Sequence, residues 1–311
     1  MIKKIFILVW IGVAISCSTD DEDTIPELKG SFANSIFIHD GNVLVSGVEF
    51  SNNRKTTYWI DSTPVDSTAF SAALETGSVY RGDVDDAFRK TFVSKTSSED
   101  AELYSFYQGA FTTAGTMDYF KNRRAVTTTL PNPGILSAIH FYNQQAYFCG
   151  HFSEEAVTEA GPGFRPDVPF FWDGSTEAIE LPVSQDVFFR GVSCVFVDED
   201  NFYVGGKMPY PMYWKNTKLI QLGSLFGEVN QITVNAGDVY AVGYYNKTDS
   251  NSTGNTACYW KNEELMELED DAQATGIFID GSDIYVCGST GRDQASYKAC
   301  YWKNGVRVAL P

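Results

Sequence analysis

The chain has 311 residues, of which 43% are hydrophobic and 14% aromatic, enough to bury a large core in one all-β domain or in two smaller domains. Its 23 basic and 40 acidic residues give a net charge of −17, which excludes nucleic acid as a partner because phosphate binding needs a basic surface. The same charge disfavours electrostatic docking on anionic lipid and is typical of a soluble domain.

Residues 1–17 have the pattern of a lipoprotein signal peptide. Lys3 and Lys4 precede an apolar run over residues 5–15, which is shorter than the ~20 residues needed to span a bilayer. The sequence Ala14-Ile15-Ser16-Cys17 resembles a bacterial lipobox, which implies cleavage and lipid attachment at Cys17. Cleavage by an ordinary signal peptidase and retention as an anchor are the alternatives. Membrane contact is expected through the N-terminal lipid only.

Residues 18–30 are predicted to be an acidic, disordered tether. The run Asp20-Asp21-Glu22-Asp23 is typical of a solvated segment. It also resembles the export signal of lipoproteins of the Bacteroidota. That resemblance implies an exported, lipid-anchored protein of the outer membrane, displayed at the cell surface.

A pair of aromatic residues recurs six times in the rest of the chain. The copies are Tyr58-Trp59, Tyr119-Phe120, Phe171-Trp172, Tyr213-Trp214, Tyr259-Trp260 and Tyr301-Trp302. Each copy follows an apolar segment, a turn and a second segment, so each repeat predicts four short antiparallel strands joined by turns such as Asn304-Gly305. Because neighbouring side chains of a strand point to opposite faces, each pair is expected to place one ring against each adjacent sheet.

The spacing of the repeats predicts a β-propeller. From Trp172 to Trp302, successive tryptophans are 42, 46 and 42 residues apart, and repeats of ~40 to 45 residues with four strands are typical of propeller blades. Residues 31–311 are therefore predicted to form one all-β domain, a six-bladed β-propeller. The longer interval between Trp59 and Phe120, 61 residues, leaves seven blades as the alternative.

The Tyr-Trp-Lys-Asn-Gly unit at 301–305, with the more distant Leu310, resembles the extracellular HAF-type repeat and propeller-like lipoproteins of the Bacteroidota. The resemblance covers residues 30–311 and is clearest in the last three repeats. It implies a propeller architecture. It carries over no catalytic residue, because the pattern consists of core and turn positions.

The sequence contains no familiar catalytic motif, such as a Ser-His-Asp elbow, a Walker loop or His-Glu-x-x-His. A calcium ion could use Asp198, Asp200 and Asn201, but the run lacks the glycine and the distal glutamate of a calcium loop. The prediction is therefore no catalytic residue, no metal and no cofactor. Five cysteines beyond Cys17 are predicted to be buried thiols in strands, with a Cys287–Cys300 disulfide as the alternative.

The loops between the second and third strands differ most between repeats, which makes them the expected place for a ligand site. The candidates are His151, Phe152, Glu154, Glu155 and Arg165 in the long loop over 151–169, with Tyr244 and Tyr245 in the loop over 244–256. Their rings could stack on sugars, and their carboxylates could accept hydrogen bonds from sugar hydroxyl groups.

Three hypotheses for function follow. The main one is a non-enzymatic, surface-anchored monomer that binds a glycan or an envelope protein at this rim. The alternative is a carboxylate-dependent hydrolase or lyase acting on glycans, which predicts two acids within reach of each other. A purely structural role in an envelope complex predicts a stoichiometric partner and no affinity for sugars.

Overall fold

A computed structural model of the chain shows an all-β structure. It describes residues 30–50, 55–74, 80–83, 89–94, 102–107, 111–112, 116–121, 124–132, 134–143, 145–152, 155–158, 161–164, 168–183, 191–206, 209–248, 254–293 and 295–311. The signal peptide, Cys17 and the acidic tether lie outside these residues. Within them, no helix is long and apolar enough to cross a membrane.

The first half of the described chain contains sixteen strands and one helix. They are β1 (Gly30–His39), β2 (Asn42–Phe50), β3 (Lys55–Ile60), β4 (Thr63–Val65), α1 (Ser67–Leu74), β5 (Tyr80–Asp83), β6 (Arg89–Ser94), β7 (Glu102–Tyr107), β8 (Phe111–Thr112), β9 (Thr116–Lys121), β10 (Arg124–Thr129), β11 (Gly134–Tyr142), β12 (Gln145–Phe152), β13 (Glu155–Thr158), β14 (Gly161–Phe164), β15 (Val168–Trp172) and β16 (Ile179–Glu180).

Twelve further strands make up the second half. They are β17 (Val192–Val197), β18 (Phe202–Gly206), β19 (Met212–Lys215), β20 (Lys218–Gln221), β21 (Gly227–Asn235), β22 (Asp238–Tyr245), β23 (Thr256–Lys261), β24 (Glu264–Asp270), β25 (Ala272–Asp280), β26 (Asp283–Thr290), β27 (Lys298–Lys303) and β28 (Val306–Ala309).

Among the described residues, these strands form six antiparallel sheets and one separate hairpin, β13–β14. Sheets 1, 4, 5 and 6 have the orders β1-β2-β3-β4, β17-β18-β19-β20, β21-β22-β23-β24 and β25-β26-β27-β28. Sheet 2 is β5-β6-β7-β9-β10 and sheet 3 is β8-β11-β12-β15-β16. The predicted all-β class and the four-stranded antiparallel unit are confirmed. The number of blades is not, because the described strands form no closed sheet.

Sheets 2 and 3 have five strands instead of the predicted four. The extra strands, β5 and β8, are short segments that the repeat pattern does not contain, and each pairs beyond the strand that would otherwise end its sheet. The long insertion after Trp59 supplies α1 and β5. Phe70 of α1 is buried against Phe37 and Leu44, so this helix covers the core of sheet 1.

Each four-stranded sheet is a meander with two different ends. The turns after its first and third strands lie at one end, which we call the hairpin end, and the longer connections lie at the other, which we call the loop end. At the hairpin end, Asn304 and Gly305 both have positive φ, 49° and 79°, as the predicted tight turn requires.

The lysine and asparagine of the repeated motif stabilise the hairpin end. In sheet 6, Asn304 accepts a hydrogen bond from the backbone N–H of Ile284 at 2.8 Å and donates one to Asp283 at 2.9 Å. Lys303 pairs with the same Asp283 at 2.9 Å and lies over the ring of Tyr285. Sheet 5 repeats this arrangement with Lys261, Asn262 and Asp238. The motif therefore joins two neighbouring turns and has a structural role.

The aromatic pairs pack between the sheets, as predicted. Tyr301 lies in a core with residues of sheet 1, and its neighbour Trp302 lies in a core with residues of sheet 5. In sheets 2 to 5, the distant leucine lies in the same core as the tryptophan of the next sheet, as Leu181 does with Trp214. At the end of the chain, Leu310 packs in the same core as Trp59 of sheet 1.

A β-bulge in the first strand of the repeat unit explains why the second strand needs its glycine. In sheet 5, the register shifts between Val229 and Gln231, so Asn230 is the extra residue. A Cβ on Gly243, opposite the bulge, would lie 1.9 Å from the carbonyl oxygen of Glu228. Gly47, Gly150 and Gly288 face the same obstacle in sheets 1, 3 and 6.

The bulge residues also join neighbouring sheets. Ser193 of sheet 4 donates a hydrogen bond to the carbonyl of Val229 in sheet 5, and Asn230 donates to Ala274 in sheet 6 at 2.8 Å. Thr275 of sheet 6 donates to Ala33 in sheet 1 at 2.6 Å. Since donors and acceptors occupy equivalent positions, the loop ends of sheets 4, 5, 6 and 1 lie on one side of the molecule.

The indole N–H groups of Trp214 and Trp260 are both buried but differ in hydrogen bonding. Trp214 donates from Nε1 to the carbonyl of Pro182 at 2.7 Å. The Nε1 of Trp260 is buried and has no acceptor among the described residues. Gly223, which follows the closing leucine of sheet 4, accepts a hydrogen bond from Gln221 instead.

We therefore expect Trp214→Phe to destabilise the protein more than Trp260→Phe, by ~1 kcal/mol, because only the first change breaks a buried hydrogen bond. The two changes remove similar volumes from side chains that are 0% and 2% exposed. Urea unfolding of both variants measures the difference. Equal losses would show that the Pro182 carbonyl contributes nothing.

The five cysteines after Cys17 are free and buried, which confirms the prediction of buried thiols. Cys287 is paired in register with Tyr301 and Cys300 with Gly288, so the two cysteines are not directly opposite each other. Burial raises the pKa of the Cys300 thiol and keeps it protonated.

Candidate functional site

The predicted rim residues with described positions lie mostly in strands. His151 and Phe152 end β12, and Tyr244 and Tyr245 end β22, because both strands continue two residues past their glycine. Glu155 begins β13, but its side chain is outside the description. Glu154 and Arg165 lie outside the described residues altogether.

Two of these aromatic side chains are buried and do not form the exposed rim that the sequence suggested. The ring of Phe152 stacks on Phe170 with centroids 4.3 Å apart, and its side chain is 7% exposed. Tyr245 is 8% exposed and its hydroxyl donates a hydrogen bond to Glu267. The reason is the strand alternation, which turns the second residue after the glycine towards the core between sheets.

A cluster of charges joins the segment after β22 to β23 and β24 of sheet 5. Lys247 bridges Glu267 at 3.1 Å and Asp270 at 2.8 Å, and Thr256 also donates to Asp270. The hydrogen bond from Tyr245, followed by that from Lys247, lowers the pKa of Glu267. The hydrogen bonds from Lys247 and Thr256 lower the pKa of Asp270. Both carboxylates therefore stay ionised at neutral pH and are poorly suited to donate a proton.

Glu228 is in a different position, on the first strand of sheet 5. It is the second residue of β21 and is half-buried at the loop end. Among the first strands with described side chains, β1, β11, β17, β21 and β25, the only other carboxylate is Asp280, which ends β25 at the hairpin end. Among the described residues, Glu228 is thus the acid that lies on a first strand at the loop end.

Tyr244 stands directly opposite Glu228 in the register of β21 and β22. Burial is the main reason why the pKa of Tyr244 is raised well above its usual value, and the charges of Glu228 and Tyr297 add to the effect. The phenol therefore stays protonated and can donate a hydrogen bond throughout the neutral and moderately basic range.

Sheets 6 and 1 complete the surroundings of this pair. Tyr297 accepts a hydrogen bond from Gln273 at 3.3 Å, and its ring lies 5.5 Å from that of Phe32. The backbone carbonyl of Tyr297 accepts a hydrogen bond from Ser31 at 2.9 Å, which fixes this loop against sheet 1. We call Phe32, Glu228, Tyr244, Gln273 and Tyr297 the loop-end cluster.

The register shows how the cluster arises from the repeats. Phe32, Glu228 and Gln273 occupy equivalent positions, each opposite the residue that follows the glycine of the second strand. Ile135 has this position in sheet 3, where it faces His151. Only sheet 5 of these four has an acid there. His151 and Tyr244 are therefore equivalent residues of different sheets. Glu228 belongs to the loop-end cluster but was not among the candidates from the sequence.

The cluster has the parts of a carbohydrate site. A half-buried carboxylate beside the protonated phenol of Tyr244 can exchange a proton with a bound hydroxyl or water, and the phenol can donate a hydrogen bond to the carboxylate. The rings of Phe32 and Tyr297 offer apolar faces next to these polar groups. Such a combination suits a ligand with both C–H faces and hydroxyl groups.

No group of three His, Cys, Asp or Glu side chains in the described residues is arranged to hold a metal ion. The proposed calcium ligand Asp198 accepts hydrogen bonds from the backbone N–H groups of Asp200 and Asn201, at 3.0 and 2.7 Å. This is the local bonding of a turn aspartate.

No family model matches the chain, and no curated protein sequence does. Solved structures match at low identity. An acylaminoacyl peptidase of Pyrococcus horikoshii is 11% identical with a TM-score of 0.47, over 90% of this chain and 52% of its own. The endosialidase of phage phi92 is 8% identical with a TM-score of 0.45, over 92% and 68%. An alpha-L-arabinofuranosidase of Clostridium thermocellum is 10% identical with a TM-score of 0.34, over 89% and 93%.

These matches include glycoside hydrolases, and they contradict the main hypothesis from the sequence, a non-enzymatic binding module. They correspond better to its alternative, a hydrolase acting on glycans. This chain spans about half the length of the peptidase. At such identities the similarity concerns the fold alone, so a function must be argued from the residues of the loop-end cluster.

Proposed function

We propose that the chain is a glycan-active hydrolase in which Glu228 acts as an acid–base carboxylate. The observation that carries the proposal is the position of Glu228 on a first strand, at the loop end and opposite the protonated Tyr244. The charged acids Glu267 and Asp270 are bound to Lys247 on outer strands, where they have a structural role.

In this proposal, the Glu228 carboxyl group protonates the leaving oxygen while the glycosidic bond breaks and a second carboxylate bonds to the anomeric carbon. Glu228 then accepts a proton from the water that displaces this carboxylate and releases the sugar. Tyr244 donates a hydrogen bond that stabilises the carboxylate form. Enzymes of this kind need a second acid, roughly 5–10 Å away. Asp271 is our candidate, because it directly precedes β25 at the same end of the neighbouring sheet, where it pairs with Arg292 at 2.8 Å.

We further propose that the six sheets are the blades of a β-propeller. The hydrogen bonds between bulge residues of sheets 4, 5, 6 and 1 support this arrangement, as does the shared core of Leu310 and Trp59. A propeller brings the first strands of all blades to a common axis. The loop-end cluster would then lie at one mouth of that axis.

A panel of neutral and acidic polysaccharides tests the activity directly. The purified protein is incubated with each one, and new reducing ends and soluble fragments are measured. We expect release from at least one neutral polysaccharide, since the net charge of −17 repels acidic ones. No release from any member of a broad panel would refute the hydrolase.

We also propose that the chain is anchored through a lipid on Cys17 and displayed at the cell surface, on the basis of residues 14–17 and the acidic run that follows. Replacement of Cys17 by serine is expected to move the protein from the membrane fraction to the soluble fraction. Fractionation with detection of the attached lipid by mass spectrometry measures this. Membrane retention of the variant would argue against the lipid anchor.

A further inference from the structure

A cavity of about 260 Å³ lies between the first strands of five sheets, on the hairpin side of the bulges. Its walls come from β1, β11, β17, β21 and β25. The loop-end cluster is made from residues on the other side of the same bulges. The cavity is therefore separate from the site proposed for catalysis.

The side chains around this cavity are aromatic or neutral. At equivalent positions, His140, Phe196, Thr233 and Phe278 line it, with Phe37 behind Phe278 at 4.8 Å between ring centroids. His140 and Phe196 are also 4.8 Å apart. The lining contains no Asp, Glu, Lys or Arg among the described residues. Apart from His140, no side chain of the lining could offset the charge of a ligand, so moving a charged ligand out of water is costly.

The backbone supplies further polar groups to the cavity, in addition to the side chains of Ser35, Gln231, Thr233 and Asn235. Along the lining residues, each of these first strands is the edge strand of its sheet in the described part of the chain. Alternate backbone N–H and C=O groups on its free side therefore have no neighbouring strand and point into the cavity. Gln231 of sheet 5 binds two such groups in sheet 6. Its side-chain amide accepts a hydrogen bond from the backbone N–H of Ile277 at 3.0 Å and donates one to the carbonyl of Ile277 at 3.4 Å.

The other sheets lack such a glutamine. Ser35 holds the position of Gln231 in sheet 1, and Ala138, Cys194 and Gly276 hold it in sheets 3, 4 and 6. The last three, which precede sheets 4, 5 and 1, cannot both donate to and accept from the next strand as an amide does. Among the described residues, no side-chain amide of a neighbouring sheet therefore reaches the inward groups of Val195, Ile232 and Ile36, which leaves these groups to a ligand on this side of the cavity.

We infer that this cavity binds a neutral monosaccharide in its pyranose form. Hydroxyl groups both donate and accept, which matches paired N–H and C=O groups from several strands. The C–H faces of the ring match the rings of Phe196 and Phe278. Pockets for drug-sized ligands are roughly 300–1,000 Å³, so a cavity of about 260 Å³ fits a smaller ligand such as one sugar ring.

The test is Thr233→Phe, with Thr233→Val as its control. Phenylalanine is already the residue at the equivalent positions Phe37, Phe196 and Phe278, so the strand should accept it, and its ring would fill the cavity. Valine keeps the volume of threonine. Binding of glucose, galactose, mannose and xylose is measured by ligand-observed NMR, with glucuronic acid and glucosamine as charged comparisons.

We expect at least one neutral sugar to bind the wild type and the Thr233→Val variant. The Thr233→Phe variant should bind it at least ~10-fold more weakly. The Glu228→Gln variant should bind it as the wild type does, which separates this site from the catalytic one. Equal binding by the wild type and Thr233→Phe, no binding of any neutral sugar, or equal binding of the charged sugars would overturn the inference.

A second variant keeps the test decisive if Thr233→Phe does not fold. Phe196→Leu keeps an apolar side chain in the wall but removes the aromatic ring. It should weaken sugar binding while the circular dichroism spectrum stays unchanged. Unchanged affinity in a folded Phe196→Leu protein would also count against the inference.

Discussion

The Glu228→Gln variant is expected to keep its fold and to hydrolyse glycan ~10²- to 10⁴-fold more slowly than the wild type, the usual contribution of an acid–base residue. Glutamine has the shape of glutamate and can still hydrogen-bond to its neighbours, but it cannot donate or accept the proton. Initial rates of reducing-end release, measured for both proteins on the same polysaccharide, give the ratio.

Glu199→Gln is the matched control. Glu199 is exposed in the turn between β17 and β18, at the hairpin end, and the substitution removes the same charge from the molecule. Its rate should be that of the wild type. If Glu228→Gln is as active as Glu199→Gln, Glu228 has no role in proton transfer, and the acid must be sought elsewhere at the loop end.

The second large effect is expected from Gly243→Ala. The added Cβ would lie 1.9 Å from the backbone oxygen of Glu228, so one of the two strands must move. Overpacking of this kind costs about 1–3 kcal/mol and occasionally more, and a rigid backbone atom places this case at the upper end. Because the displaced residue is Glu228, activity should fall together with stability.

Gly223→Ala controls for the loss of a glycine. Its Cβ would be 3.6 Å from the nearest atom of Pro211, an ordinary contact, so a change within about 0.5 kcal/mol is expected. Urea unfolding and hydrolysis assays are run on both variants. A Gly243→Ala protein as stable as Gly223→Ala would show that the bulge adapts freely, contrary to the geometry.

The sequence was sufficient to predict the repeating unit. Aromatic pairs such as Tyr301-Trp302 recur with turn residues at fixed distances, and both signals come from core and hairpin geometry that every repeat needs. The pairs do place one ring against each neighbouring sheet. The two extra strands were not predictable, because β5 and β8 are short and occur in no other repeat.

The candidate site was hidden by the bulge. In sheet 5 the alternation of apolar residues becomes regular only from Gln231 onwards, whereas the first strand begins at Gly227. Asn230 interrupts the alternation, so the residues before it do not look like a strand. Aligning the repeats on the glycine of the second strand would have shown that Glu228 is an acid at the position that Phe32, Ile135 and Gln273 hold in other repeats.

The rim candidates illustrate the opposite error. Tyr244 and Tyr245 were expected in a polar loop, but both belong to β22. Because neighbouring side chains of a strand point to opposite faces of the sheet, the two rings lie in different surroundings. Tyr244 joins the loop-end cluster, and Tyr245 is buried beside Glu267. Composition alone does not distinguish two adjacent tyrosines; the register of the strand does.

The junction of sheets 6 and 1 has a consequence for the folding pathway. Its hydrogen bonds join residues far apart in the chain, from Trp59 to the carbonyl of Pro311 over 252 positions and from Thr275 to Ala33 over 242. Contacts of such long range form slowly, because most of the chain must be ordered before its ends meet. Tyr297 and Phe32 lie on the two sides of this junction. The loop-end cluster is therefore complete only after the last long-range step, and refolded protein should regain activity later than it regains β-structure.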